Sequence, residues 1–384
     1  MLTKIVLENF MSFKNETTID ITATSYMGLS KTNVSNNILK GLLFVGANAS
    51  GKTNIMKSIY LLLSLLLKND DFNIQSYFCL FSSSKTMKLQ FSFKINNNNI
   101  IYGFTYNKQG LFETEYLYLN NKELFNRIGL EAKSNITAQK IYNKNEIYPN
   151  SLFIRNIYFN TRFKGHKTLE LWFDFLKSSV YLSVAKGIIL GFNKNINLSL
   201  ETYIEQYGID DLNYFLKHFC FKLELCCKKN HYLPKSIFTK TINQKEIFLK
   251  KNNINFLFPY SLESQGIKTL LNMLPAIIYV SKANSLLIIN EFRKDFHNEL
   301  EELIIKFFMG NSKQSQIFFS SHSTNIVNAS LLRPDQIYSV NFDNENGSYV
   351  KRFSSENPSE SQNLERMYIS GIFKGLPSYK TLIK

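Results

Sequence analysis

Residues Gly46 to Thr53 read GANASGKT and fit the pattern GxxxxGK[ST] in full. The apolar run Leu42-Leu43-Phe44-Val45 precedes them, and a helical pattern of Ile55, Met56, Ile59, Leu62, Leu63 and Leu66 follows. Strand, glycine-rich turn and helix in that order form the setting a phosphate-binding loop requires. The backbone N–H groups of such a loop, together with the helix N-terminus, point partial positive charge at an anion. In this reading Gly46, Asn48, Ser50 and Gly51 line the loop, Lys52 reaches the outer phosphates and Thr53 places its hydroxyl on Mg²⁺. The motif therefore predicts a site for a nucleoside triphosphate, read here as ATP with Mg²⁺.

The chain has 384 residues, of which 44% are hydrophobic, enough for one large or two modest globular units and too apolar for a disordered chain. The longest apolar run, Ile59 to Leu67, is shorter than the roughly 20 residues that cross a bilayer, and it falls on the helix after the phosphate loop. No N-terminal stretch follows the order of a signal peptide. Cys79, Cys220, Cys226 and Cys227 have no metal-ligand spacing, and adjacent cysteines rarely bridge each other. These features predict a soluble cytoplasmic protein with reduced thiols and no membrane contact. The net charge of +15 favours an anionic partner such as DNA or RNA. Part of the lysine excess accompanies abundant Asn, Ile, Phe and Tyr, residues with AT-rich codons. The segment Lys217 to Lys251 is strongly basic, with acidic residues only at Glu224 and Glu246.

Alternation of apolar and polar residues predicts paired strands over 2–22 and antiparallel hairpins from Met87 to Phe125, with turns at Asn96 to Asn99 and Asn107 to Gly110. Residues 128–150 are polar and read as a linker or mobile loop. Helical spacing covers Leu169, Trp172, Leu176 and Val180, then Tyr203, Tyr207, Leu212, Phe215 and Phe219. An α/β block follows: helix 266–279, strand 285–290, helix 298–309, strand 316–320 and a closing hairpin around Asp343 to Gly347. The expected class is α/β, divided into a β-rich first lobe with the phosphate loop (1–127), a linker with a helical and basic insertion (128–255) and an α/β second lobe (256–384).

Three elements in that second lobe bear on the nucleotide. Ser285 to Glu291 is an apolar strand ending in Asn290-Glu291. Ser320-Ser321-His322 ends the next strand, where His322 can contact a γ-phosphate. Glu263-Ser264-Gln265-Gly266 opens a helix, so that the Ser264 hydroxyl, the Gly266 backbone and the helix N-terminus make a second anion-binding surface.

With these elements the chain resembles the ABC-type P-loop ATPases of the SMC, RecF and OLD group, and more closely the bacterial AAA15/AAA21 ATP-binding proteins, many of which belong to anti-phage defence systems. LENFMSF resembles the family's first strand and turn. YGFTYNKQGLFETEYLYLNNKELFNR resembles the first-lobe hairpins, ESQGIKTLL the signature and its helix, and IINEFRKDFHNEL the acidic motif with a downstream His, here His297. IFFSSHSTNIV resembles the His switch and LERMYISGIFKGLP the C-terminal tail. The resemblance covers most of the chain, is weakest from 128 to 255, and leaves the Gln of the family's Q-loop unplaced.

The resemblance implies an ABC-type ATPase head. It places the acidic-motif strand beside the phosphate loop, with Asn290 in the Mg²⁺ shell and Glu291 polarising the attacking water. Ser264 and Gly266 of one subunit cover the γ-phosphate held by Lys52 of another, so a homodimer or higher homo-oligomer is expected. An effector protein encoded nearby and a role in phage defence follow from the same resemblance. Asn290 departs from the Asp usual there; an amide can still bond a metal-bound water but offers less attraction to the cation, which predicts slow hydrolysis. Competing readings are a nucleotide-gated clamp with negligible hydrolysis and a DNA-repair or DNA-binding ATPase of the RecF/SMC type. A transporter's nucleotide-binding subunit, a nuclease using Asp210-Asp211 and a nucleic-acid-binding module without enzymatic activity complete the alternatives.

Overall fold

The computed structural model describes residues 1–68, 73–193, 196–219, 222–229, 241–242, 245–251, 256–292, 298–321 and 323–376. Two sheets organise them. The first has eight strands, in the order Ile141–Tyr142, Glu131–Ser134, Lys122–Ile128, Phe112–Leu119, Asn98–Asn107, Thr86–Ile95, Leu2–Glu8 and Thr17–Asp20, with every neighbour antiparallel. Its strands follow the period-two pattern read from the sequence. In Thr86–Ile95 the odd positions Met87, Leu89, Phe91, Phe93 and Ile95 are buried while the even ones are half-buried, as a sheet with one face on the core requires.

The second sheet has seven strands, in the order Ile188–Gly191, Val180–Ser183, Leu286–Asn290, Gln316–Ser320, Gly41–Val45, Ile337–Asp343 and Gly347–Arg352. The five inner strands run parallel and both edges are antiparallel. A parallel sheet is covered on both faces, which is why Leu42–Val45, Leu286–Ile289 and Ile317–Phe319 are continuous apolar runs. Leu42, Phe44, Leu286, Ile288, Phe318, Tyr338 and Val340 belong to one core with the helix Lys52–Leu67 and the first sheet. Leu43, Val45, Leu287, Ile289, Ile317 and Phe319 belong to a second core with the helices Gln265–Lys282 and Asn298–Asn311. The phosphate-loop helix and the signature helix therefore lie on opposite faces of one sheet.

Buried Gln316 stitches the sheets together. Its Oε1 accepts from Leu2 N at 2.7 Å, and its Nε2 donates to Leu2 O at 2.9 Å and Leu39 O at 3.0 Å. Within the first lobe the fully buried Glu115 carboxylate accepts the N–H groups of Phe153 and Ile154 at 2.6 and 3.0 Å, satisfying the start of helix Phe153–Thr161. Arg127, equally buried, lies 3.6 Å from that carboxylate and donates to the carbonyls of Gly129, Ser151 and Tyr148. Burial pushes the Glu115 carboxyl above its ordinary range against the pull of Arg127.

Three local expectations are corrected. Residues 128–150 are not simply a linker: Glu131–Ser134 pairs with Lys122–Ile128, and Ile141–Tyr142 extends the same sheet. Their polarity misled because the edge of an antiparallel sheet faces water. The helical stripe through Leu169, Trp172 and Leu176 holds in Lys167–Lys177, but Val180 opens a strand. Ser178 and Ser179 end that helix, and Ser179 Oγ donates to Phe175 O and accepts from Leu286 N, passing the chain into the parallel sheet. The Asn290 strand is not the immediate neighbour of the phosphate-loop strand, since Gln316–Ser320 lies between them.

After the strands Val180–Ser183 and Ile188–Gly191 come the helices Leu200–Tyr207 and Asp210–His218 and a small antiparallel sheet in which Leu223–Lys229 pairs with Lys245–Lys251. Much of the basic segment lies outside the described residues. Among the described residues no helix is long and apolar enough to cross a membrane.

Candidate functional site: a phosphate loop at the carboxyl edge of a parallel sheet

Parallel strands bring their carboxyl ends to one edge, where open α/β sheets bind ligands. Here Val45, Ser183, Asn290 and Ser320 end their strands together. The phosphate loop leaves Val45 and enters helix Lys52–Leu67. Its glycines are required by space as well as by backbone angle. Gly46 has φ 152°, and a Cβ there would stand 2.3 Å from Val340 O; Gly51 has φ 114°, and its Cβ would stand 2.5 Å from Ser348 Oγ. Ala49 between them takes the left-handed region at φ 63°.

Lys52 is 3% exposed and folds back over the loop, its Nζ donating to Gly46 O at 2.7 Å and Ala47 O at 2.8 Å. Burial lowers its pKa to about 8, while the Glu291 carboxylate pulls the other way. The ammonium is thus charged at neutral pH and held by neutral carbonyls that an anion can replace. Thr53, half-buried, follows in the first turn of the helix, where backbone N–H groups have no partner within the helix.

The loop is braced by residues distant in the chain. Ser348 Oγ donates to Ser50 O at 2.6 Å and meets Ser12 Oγ at 2.7 Å, and Asn54 Nδ2 donates to Ser12 Oγ at 2.7 Å. Ser12 sits in the turn of the LENFMSF motif. The role of Ser348 carries no sequence signal, because only folding brings the last hairpin of the sheet onto the loop.

Asn290 and Glu291 end the strand two places across the sheet. The side-chain amide of Asn290 bonds the Tyr181 hydroxyl, and burial raises that phenol to about 12. Asn290 Oδ1 is buried with no hydrogen-bond partner among the described residues, and Ser50 Oγ is in the same condition. An orphaned acceptor at this edge suits a cation or its water shell, so Asn290 and Thr53 form a donor set compatible with Mg²⁺. Glu291 adopts φ 61°, and its N–H donates to Ser320 Oγ at 3.1 Å. His322 and His297 lie outside the described residues. Among the described residues, Ser321 Oγ donates to Glu301 Oε2 at 2.9 Å, and burial lifts the Glu301 carboxyl to about 7. Sequence reasoning passed over Tyr181, which follows the last residue of the helical stripe read through Val180, and Glu301, whose helical spacing carries no sign of a buried acid.

The signature residues stand apart from this cluster. Ser264 caps helix Gln265–Lys282 by accepting from Ile267 N at 3.4 Å, and Gly266 is in its first turn. Because that helix packs on the other face of the sheet, the chain does not gather Ser264, Gly266 and Lys52 around a single helix end. Asp210 and Asp211 begin a helix, and Asp211 accepts from Lys282 at 2.6 Å and Tyr203 at 3.2 Å. No group of three His, Cys, Asp or Glu suited to a metal occurs among the described residues.

Comparison with known proteins bears on the fold and the family. The SMC head domain from Thermotoga maritima superposes with a TM-score of 0.51 at 14% identity, covering 91% of this chain and 98% of that one. An Smc head bound to the C-terminal winged-helix domain of ScpA gives 0.52 at 15%, covering 91% and 97%. The Smc head with an extended coiled coil bound to the C-terminal domain of ScpA, from Pyrococcus furiosus, gives 0.50 at 14%, covering 97% and 98%. These establish a shared fold. No curated protein matches the chain. Residues 42–328, more than half of the chain, match the family model described as "AAA domain, putative AbiEii toxin, Type IV TA system", and the chain belongs to that family of P-loop ATPases, with the fold of an SMC-type head.

Proposed function

We propose that the protein is a switch ATPase in which two copies clasp ATP and Mg²⁺ between them and part on hydrolysis. The observation that carries this reading is the placement of the phosphate-loop helix and the signature helix on opposite faces of one sheet. A chain built this way presents two anion-binding helix starts to different surroundings, and a second copy related by a twofold axis brings them together twice.

In this proposal Gly46, Asn48, Ser50, Gly51, Lys52 and Thr53 hold the triphosphate of one copy, and Ser264 and Gly266 of the other cover it. Lys52 leaves the Gly46 and Ala47 carbonyls for phosphate oxygens. Glu291 accepts the proton of the attacking water, and His322 contacts the γ-phosphate. Thr53 and Asn290 hold Mg²⁺, which supplies neutralisation of charge developing on the phosphates. The uncharged Asn290 makes turnover slow; that same residue favours, as the second reading, a nucleotide-gated clamp with negligible hydrolysis.

The division into a first lobe (1–127), an insertion (128–255) and a second lobe (256–384) belongs to the proposal, with the insertion as the part that meets an effector. Heads bound to ScpA among the structural relatives support a protein partner, the family's toxin–antitoxin description supports a defensive role, and the net charge of +15 supports a contact with DNA or RNA. Light scattering of the purified protein tests the core of this reading: the mass doubles with ATP and Mg²⁺, and Lys52→Ala abolishes the doubling. One unchanged mass in every nucleotide state refutes it.

A further inference from the structure

We propose that Ser320 is the positioning residue for Glu291, its hydroxyl acting as the last rung of the ladder between two strands and fixing the carboxylate-bearing residue relative to the phosphate loop. The inference rests on the reading of Glu291 as the base. The regular pairing of Leu286–Asn290 with Gln316–Ser320 ends at Ile289 opposite Phe319. One step beyond it the backbone of Glu291 turns to φ 61°, a left-handed conformation uncommon for a residue with a side chain. Such a conformation persists where the surroundings fix it. A contact that does so is the Glu291 N–H donating to Ser320 Oγ at 3.1 Å.

Ser320 is suited to the task because it is itself immobilised. It has no exposed surface, and its backbone pairs on the far side with Phe44, two residues before the phosphate loop begins. The next residue is held as well: Ser321 N donates to Phe44 O at 3.4 Å, and its hydroxyl is taken by buried Glu301. One residue therefore connects, through its hydroxyl, the turn that carries Glu291 and, through its backbone, the strand that delivers the loop. Alanine at 320 keeps the strand but leaves the Glu291 N–H without that acceptor, and the left-handed turn is free to relax.

Two measurements test the assignment. Amide hydrogen exchange followed by mass spectrometry on the full chain, without nucleotide, reads the latch directly. Ser320→Ala is expected to speed exchange of a peptide spanning Ile289 to Phe292 at least tenfold, while Ser320→Thr, which keeps the hydroxyl, stays within about threefold. Phosphate release at saturating ATP and Mg²⁺ reads the consequence. Ser320→Ala lowers kcat by about 10- to 100-fold, as loss of an orienting contact does, with KM and nucleotide affinity within about threefold of wild type. In a Glu291→Gln background it has no further effect, because the two residues act as one unit. Should Ser320→Ala fail to fold, Ser320→Cys, a weak acceptor of similar size, carries the same expectation. Unchanged exchange, unchanged kcat, or additive losses in the double variant overturn the proposal. A Glu291→Gln protein that hydrolyses ATP at the wild-type rate instead overturns the base reading, and does so while the exchange result stands.

Discussion

Glu301 offers a quantitative test of the packing between helix Asn298–Asn311 and Ser321. Its carboxyl is 4% exposed, in the first turn of helix Asn298–Asn311, with the Ser321 hydroxyl as its hydrogen-bond donor at 2.9 Å. Burial lifts its pKa from 4.5 to about 7, with the Ser321 bond opposing. A raised carboxyl favours the protonated form in the folded protein, so the folded state binds more protons than the unfolded one across the window from 4.5 to about 7. Stability from this group is complete below 4.5, falls through the window and stays lost above it. The full difference is about 3 kcal/mol, of which about 2.5 kcal/mol lies between pH 5 and pH 8. The buried Met1 amine, lowered to about 5 by desolvation, titrates in the same range with the opposite sign. The informative quantity is therefore the difference between wild type and Glu301→Gln, in which every other group cancels. Urea unfolding at both pH values is expected to show Glu301→Gln gaining about 2.5 kcal/mol on wild type from pH 5 to pH 8, because the partnerless amide N–H₂ of the variant costs the same at both pH values and drops out of the change. A difference between the two proteins that does not change with pH refutes the reasoning, since it means the carboxyl has the same affinity for protons folded and unfolded.

Two further outcomes are expected from the site itself. Asn290→Asp restores a charge to the cation's surroundings and raises phosphate release by about 10- to 100-fold, the range by which such ligands and their supports tune metal sites; absence of any gain in the pure variant counts against the assigned role of Asn290. Gly46→Ala places a Cβ 2.3 Å from Val340 O at φ 152°, destabilises the protein by about 1–3 kcal/mol and weakens nucleotide binding, as thermal melts and displacement of a fluorescent ATP analogue will report.

Much of the nucleotide edge was legible in the linear order of residues. GANASGKT between an apolar run and a helical pattern is a local code: strand, turn and helix are each specified by their own residues, and the structure places them at Gly41–Val45 and Lys52–Leu67. The strands Leu286–Asn290 and Gln316–Ser320 were readable for the same reason, because both faces are buried and their runs Leu286–Ile289 and Ile317–Phe319 are apolar. Reading stopped where the answer depended on a partner. Periodicity states that a face is buried, not what buries it. It could not show that Gln316–Ser320 lies between the loop strand and the Asn290 strand, nor that Val180–Ser183 leaves a helical region to join them.

The chain's order of residues by itself determined the phosphate loop, the α/β class and the family, since each rests on contacts made within a few positions. Tertiary structure alone decided which side chains serve that loop. Ser348 meets Ser12 across 336 positions, Gln316 ties down Leu2 across 314, and Tyr181 reaches Asn290 from a neighbouring strand. Such pairs are fixed by sheet order and register, which arise only when two cores are packed against the same sheet.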